Sequence, residues 1–589
     1  MPINVNKNVF SIKTENTMYQ MCIDELGVLR HLWYGKKTGN DMGYLLDYPY
    51  ICFSPSPYDA GNNRGYSLDT IPQEYSAVGT GDFRITALSV LNTDGSEAVD
   101  LRYNGYKICK GKYSIPGLPA VYAEDDGETL EIYLVDKLTN VQVVLKYGVI
   151  SKYDIITRSA VICNGGESSI TLKNAASMCL DIPYGKWDWI HFHGRHAMER
   201  MVERRPLFHG IQESSSKRGT SSHQQNPAVI LCDKNCNEDY GDCIGAALMY
   251  SGSFGIKIEL DQVNQTRVIM GINSDNFSWT LNKNEEFYTP EVILSFSDGG
   301  FSKLSHNFHN VIRNNVCRGN YKTCERPVLI NNWEATYFDF DGDKIEKIAK
   351  TAAQLGIDML VLDDGWFGKR NDDTSGLGDW VVNEDKLKCS LSQLSKRISN
   401  LGMKFGLWFE PEMISEDSDL YRTHPEWAIK MPGRNPVQCR SQMVLDMTRS
   451  DVRDYLYNSI SSILKDADIS YIKWDMNSSI NGWYSEKIPS DRMGEMQHRY
   501  VLGVYDLLER LTHDFPNVLF EGCSGGGGRF DAGMLYYCPQ FWCSDNTDAF
   551  DRTKIQYGTS LFYPVSTVGS HVSAVPNHQT GRISSLNTR

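Results

Sequence analysis

Residues 344–366 read KIEKIAKTAAQLGIDMLVLDDGW, and two rhythms meet inside them. In the first, Ile345, Ile348, Ala349, Ala352 and Leu355 fall on one face of a helix, and Gly356 is placed to end it. In the second, Met359–Leu362 is an unbroken apolar run of strand length that finishes in two aspartates. A helix feeding a strand buried on both faces is the repeating unit of a parallel α/β sheet.

The unit recurs to both sides of this stretch. LSQLSKRISNLG (391–402) precedes MKFGLWFE, DVRDYLYNSISSILKDA precedes ISYIKWD, and MQHRYVLGVYDLLERLTHDF precedes VLFEGCS. Helix-like DRTKIQYGTSLFYP lies between FWCSD and VSTVGS. With VLINNW (328–333) and MLVLDD (359–364) there are seven strand candidates, the first six each followed by a helix candidate. Strict alternation of this length predicts a (β/α)8 barrel. An open doubly wound sheet competes with it, but no GxGxxG follows a strand.

Before about residue 310 the rhythm is different. TLEIYLV places Leu130, Ile132 and Leu134 on one face, VQVVLKY does the same with Val141, Val143, Leu145 and Tyr147, and ESSITLKN repeats it. Turn clusters such as CNGGES separate the runs, which predicts a β-sandwich. Two domains are thus expected, 1–310 and 311–589. Nothing in the first spells a reaction.

Composition narrows the function. The 589 residues carry 59 basic and 73 acidic side chains, a net charge of −14, without a Lys/Arg-rich run, so nucleic acid is not an expected partner. No apolar stretch of about 18 residues predicts a membrane span. The start shows no secretory pattern. The 15 cysteines are scattered, which suits a reducing compartment and a cytoplasmic protein. Their one tight group, Cys232, Cys236 and Cys243, lacks histidines at zinc-finger spacing.

A barrel puts its chemistry at the carboxyl ends of the strands. Those ends are Trp333–Glu334, Asp363–Asp364, Trp408 with Glu410, Lys473 with Asp475, Cys523, Asp545 and Ser570–His571. In KWDMN, Lys473, Asp475 and Asn477 share a strand face, so Lys473 is expected to favour the ionised form of Asp475. Tryptophans and carboxylates together suit sugars: rings stack on the apolar face of a pyranose, and two carboxyls serve as nucleophile and acid/base. Metal hydrolysis fits less well, because HExxH is absent and His571 and His578 read as ordinary loop histidines. The run CSGGGGRFD lacks the GK[ST] ending of a phosphate loop, and Ser524 lacks a GxSxG elbow.

LDDGWF, KWDMN, CSGGGGRFD, WCSDNTDAFDR and HVSAVPNHQTGR resemble glycoside hydrolase family 36, the large α-galactosidases of bacteria and fungi. SLDTIPQEYSAVGTGDFR and RGTSSHQQNP are similar to that family's N-terminal β-supersandwich. The resemblance implies a retaining double displacement with Asp475 as nucleophile and Asp545 as acid/base. It implies that Asp363 and Asp364 grip the 4- and 6-hydroxyls of galactose, that Trp333 and Trp408 are aromatic walls, and that Arg440, Lys473, Asn477 and Cys523 contact the ring. Barrel packing is the plainer reading of Trp408. Asp548, three residues past Asp545, reads better as a helix-start residue. No cofactor and no metal are implied, and the partners are α-galactoside oligosaccharides such as raffinose or melibiose and, by resemblance, further copies in a homotetramer.

Two departures stand out. The family's chain continues past HQTGR into a last barrel strand and a C-terminal β-domain, so the barrel is expected to be incomplete at its C-terminal end and the isolated chain aggregation-prone. GNNRGYSLD carries Asn63 where the family pattern has aspartate; Asn63 reads as a turn residue. An α-N-acetylgalactosaminidase is the alternative activity. A transglycosylase and an α-galactosyl-binding protein without turnover stand behind it, and the pair Asp475 and Asp545 argues against a pure binder.

Overall fold

In the computed structural model, residues 2–46, 49, 51, 53–123 and 127–588 are described; the chain ends Met1 and Arg589 lie outside that set. The N-terminal half is a β-supersandwich. An antiparallel meander of four strands covers residues 3–36, and a six-stranded and a ten-stranded antiparallel sheet follow, the last sandwich strand being Val292–Ser297. Alternation set the faces as expected: Leu130, Ile132 and Leu134 are buried, and Val143, Leu145 and Tyr147 meet Ile162, Ala160 and Arg158 across the next strand. Helix Gly300–Val311 lies back on the sandwich through Leu304 and Phe308, against Gly245.

The sandwich interior also holds charge. Glu74 accepts from Tyr19 and Tyr147 hydroxyls at 2.8 and 2.7 Å, from His31 Nδ1 at 2.7 Å, and faces Arg158 at 3.1 Å. Nearby, Arg267 bonds Asp181 and Asp82 at 2.7 and 2.8 Å, and Arg84 bonds Asp82 at 2.9 Å.

The second half is a seven-stranded parallel sheet in sequence order: β1 Leu329–Asn331, β2 Met359–Leu362, β3 Lys404–Phe409, β4 Tyr471–Trp474, β5 Leu519–Gly522, β6 Gln540–Trp542 and β7 Val568–Gly569. Helices Gly342–Gln354, Leu391–Ser399, Ser450–Asp466, Met496–Asp514 and Ala549–Ser560 supply its outer layer. The expected α/β alternation is therefore present, with local differences. Val565–Thr567 is a 3-10 turn, so β7 has two residues. The only α-helix between β5 and β6 among the described residues is the single turn Ala532–Leu535. Leu355 falls past the end of its helix at 75% exposure, because the last buried position on that face is Ala352.

Among the described residues β1 and β7 do not pair with each other. Side chains bridge that gap instead. Glu334 lies 3.7 Å from His571 Nε2 and 3.6 Å from His578 Nδ1. Further along, Gln579 donates to the Asp545 carbonyl at 2.5 Å and accepts from Thr547 N at 2.8 Å.

Candidate active site

The strand ends form one polar mouth. Asp475, the residue after β4, is 6% exposed and held by four N–H donors. Oδ1 accepts from Met476 N at 2.9 Å and Gly525 N at 3.3 Å, and Oδ2 from Trp408 Nε1 at 3.1 Å and Asn477 Nδ2 at 2.9 Å. Such a cradle fixes the carboxylate in direction. Trp408 is packed as the plainer reading has it, its ring buried and parallel to Phe367, and its edge holds Asp475.

Lys473 reaches elsewhere than its spacing suggests. Its Nζ bonds Asp363 Oδ2 at 3.1 Å and lies 5.8 Å from the Trp542 ring. Burial opposes its charge, but Asp363, the Cys523 thiol, Asp475 and Asp545 together hold the ammonium well above its usual range. Asp363 also accepts from Asn331 Nδ2 at 2.5 Å. Asp364 is gripped by Arg370 at 2.8 and 3.0 Å, yet burial still pushes its carboxyl upward. Cys523 packs beside Asp475, where burial first and that carboxylate second raise its thiol well above the ordinary range.

Asp545 does not end its strand. β6 stops at Trp542, and Asp545 lies three residues on in the loop, so its side chain is aimed by partners rather than by the pleat. Oδ1 accepts from Trp542 Nε1 at 3.0 Å and Oδ2 from His196 Nε2 at 2.9 Å. Burial pushes its carboxyl up, but the His196 bond and the Lys473 charge outweigh burial and hold it below the usual value. Asp548 is the N-cap of helix Ala549–Ser560, accepting from Phe550 N and Asp551 N at 3.0 Å each. Arg440 sits at the rim with φ +52° and bonds Asp373 at 2.8 Å. Trp333 is half-buried, edge-on to Tyr337 and Phe338. Asn63, far from these groups in sequence, makes a turn in which its Oδ1 accepts from Gly65 N at 3.2 Å.

Sequence reasoning missed a contribution from the sandwich. The hairpin between strands Trp187–Arg195 and Met198–Pro206 brings His196 to Asp545, Glu199 to Ser544 Oγ at 2.5 Å, and Arg200 to the Gly527 carbonyl at 2.8 Å. His223 bonds the Gly525 carbonyl at 2.7 Å. The signal was HGRHAMER, a turn packed with charge between alternating strands, but its partner lies 349 residues away. The glycine run makes this meeting possible: Gly526 has φ +82°, and a Cβ there would stand 2.5 Å from Asp545 N.

Behind the mouth, Glu412 is fully engaged with Arg529 at 2.8 Å, Tyr500 at 2.7 Å and Trp474 Nε1 at 3.1 Å. Glu410 is not. Its Oε1 accepts from Asn477 N at 2.5 Å and Gln442 Nε2 at 2.7 Å, while Oε2 and Gln442 Oε1 are buried without partners. Burial, then the neighbouring Asp475, push its carboxyl up to about 8, so it is neutral at pH 7. Among the described residues no cluster of three or more His, Cys, Asp or Glu side chains is arranged to hold a metal ion, the cysteines are free thiols, and no helix is long and apolar enough to cross a membrane.

Known proteins share this organisation. Residues 27–282 match the glycosyl hydrolase family 36 N-terminal domain, and residues 286–589 match the melibiase family. The chain is 55% identical to a bifunctional α-galactosidase/sucrose kinase of Mediterraneibacter gnavus over all of its own length, and spans 62% of that protein. It is 49% identical to the α-galactosidase AgaA of Geobacillus stearothermophilus, again over its whole length and 80% of that chain. The solved galactosidase domain of the former superposes with a TM-score of 0.97, covering 100% of this chain and 81% of that one. A structure of the latter in complex with raffinose also gives 0.97, at 48% identity, with coverage of 98% and 81%.

Proposed function

The chain belongs to glycoside hydrolase family 36, and from that membership we propose that it is a retaining exo-α-galactosidase with Asp475 as nucleophile and Asp545 as acid/base. Residues 311–589 form the catalytic unit in this reading and residues 1–310 the supporting sandwich. The single observation that carries it is the contrast in how the two carboxylates are held. Asp475 is fixed by four donors on a barrel strand end, as an attacking carboxylate requires, while Asp545 sits in a loop with one oxygen turned to a half-open histidine.

Asp475 attacks the anomeric carbon as the glycosidic oxygen takes a proton from Asp545 and leaves. Water, deprotonated by Asp545, then displaces the enzyme carboxylate with a second inversion. Asp363, Asp364, Lys473 and Arg440 present charge-assisted partners for the galactose hydroxyls, Asn477 a neutral amide, and Trp333 an aromatic wall. Cys523 beside Asp475, with the glycines after it, matches the galactosidase pattern, which favours galactose over its 2-acetamido analogue. The substrates are oligosaccharides ending in α-linked galactose, of the raffinose type bound by the solved relative. Free thiols suit a cytoplasmic location. Exposed Tyr44, Phe53, Tyr58 and Phe83 suit a homo-oligomer.

Initial rates of 4-nitrophenol release test this. The α-galactoside should be cleaved faster than the N-acetyl-α-galactosaminide, and folded Asp475→Ala should cleave neither. Preference for the second glycoside, or turnover by the variant, would sink the assignment.

A further inference from the structure

Asp545 poses a proton problem. A general acid must carry its proton when substrate arrives. Two N–H donors and Lys473 favour its ionised form, which leaves a lone carboxyl empty at neutral pH. Its neighbour is not empty. His196 Nε2 stands 2.9 Å from Oδ2, on a side chain 60% exposed to the mouth and held on a hairpin at Ala197 φ +63°.

We propose that His196, delivered by the N-terminal sandwich, stores the proton that Asp545 gives to the leaving group. The proposal rests on Asp545 being the acid/base. As the glycosidic oxygen arrives, the Nε2–H proton crosses to Oδ2 and leaves a neutral imidazole. Asp545 passes that proton to the departing oxygen while the C1–O bond breaks and the C1–Asp475 bond forms. In the second step the attacking water bonds C1, the C1–Asp475 bond breaks, and water's proton goes to Oδ2 and back to Nε2. The leaving alcohol thus carries away one proton and water restores it.

The physics of the pair supports this division. The bond to Asp545 is the main influence on His196 and, with burial opposing, lifts the imidazole above its usual value. Two groups so coupled lose their shared proton as a unit, at a pH set by the pair. The surroundings are mixed. Lys473 on β4 and Arg440 at the rim are cations, both held charged, and Arg552 on helix Ala549–Ser560 is a third. Glu199 on the same hairpin is an anion, Cys523 after β5 is a thiol whose proton burial retains, and the His223 ring lies 5.6 Å from His196.

His196→Gln separates storage from orientation, because an amide N–H can still bond Asp545 but gives up no proton. The expected result is that the basic limb of kcat/KM against pH moves down by about 1–2 units, since that limb reports the free enzyme. For raffinose, whose sugar leaving group must be protonated to depart, the loss should be roughly 10–100-fold at pH 7.5 and under about threefold at pH 5. α-Galactosyl fluoride, whose departure needs less proton assistance, should show little loss. A limb that stays or rises, or a uniform loss at every pH, would overturn the proposal. A readout without turnover is the imidazole titration of His196 by NMR, which should fall toward about 6.5 in Asp545→Asn. An unchanged His196 titration also overturns it. Wild-type inactivity at all pH values would instead indict the α-galactosidase reading, and the NMR result would still report on the pair.

Discussion

The molecule buries charge in two places and treats it differently in each. In the sandwich, Glu74 meets Arg158, His31 and two tyrosine hydroxyls, and although burial pushes its carboxyl up, Arg158 first and those bonds next hold it below its usual value. Asp181 has the same balance against Arg267 and Arg84. In and behind the barrel mouth the balance is split: burial wins at Glu410 and Asp364, which are pushed upward, with one Glu410 oxygen left without a partner, whereas the His196 bond and Lys473 outweigh it at Asp545. Every buried charge is costly unless it is paired and bonded. A fully satisfied cluster therefore fastens two sheets together. A half-satisfied one beside a strand end leaves polar atoms without partners.

The sharpest way to break this contrast is Asp475→Ala. Its turnover should fall on the order of 10⁴-fold or more, while its melting temperature stays at or above that of the parent; a large loss of stability would mean that the mouth is built for folding after all. Next in size is Arg158→Met in the sandwich, which strands Glu74 and should cost about 3–5 kcal/mol in denaturant unfolding. Turnover per folded molecule should remain close to the parent's, and a silent stability profile would remove the distinction.

Glu410→Gln gives the clearest sign. The Glu410 proton is retained in the fold up to about 8, whereas an ordinary glutamate loses it near 4.5. Below pH 4.5 both states hold the proton and the group adds no pH dependence. Between 4.5 and 8 the unfolded chain ionises and the folded one does not, so stability declines as pH rises. Glutamine lacks that decline. Melting curves at pH 5 and pH 8 should show the variant gaining on the parent between them, and a constant gap would show that Glu410 is already ionised in the fold.

Much of this was readable in advance, for identifiable reasons. Buried parallel strands are apolar runs and covering helices repeat at 3.6, so β2 and its preceding helix were legible in 344–366. Leu355 misled because periodicity cannot say where a helix leaves its neighbour. Asp475 was legible because a strand end fixes a side chain by alternation. Asp545 was read as a strand end but lies three residues into the loop, and a loop residue takes its direction from contacts such as Trp542 and His196. Lys473 went to Asp363 rather than Asp475 because a four-carbon stem reaches across strands, and spacing along one strand is silent on that. The hairpin at His196 was invisible because its contacts join distant parts of the chain.

The glycine run after β5 acts as a gauge. Gly525 N touches Asp475 at 3.3 Å, and Gly526 lies against the backbone nitrogen of Asp545, so one thin turn is sandwiched between the two carboxyl-bearing segments. Retaining glycosidases hold their carboxyls about 5–5.5 Å apart and inverting ones about 6.5–9.5 Å, a difference that can be little more than the breadth of a methyl group. A Cβ at Gly526 would stand 2.5 Å from the Asp545 nitrogen on a backbone already at φ +82°, so the spacing of the two segments rests on hydrogen atoms standing where side chains are absent.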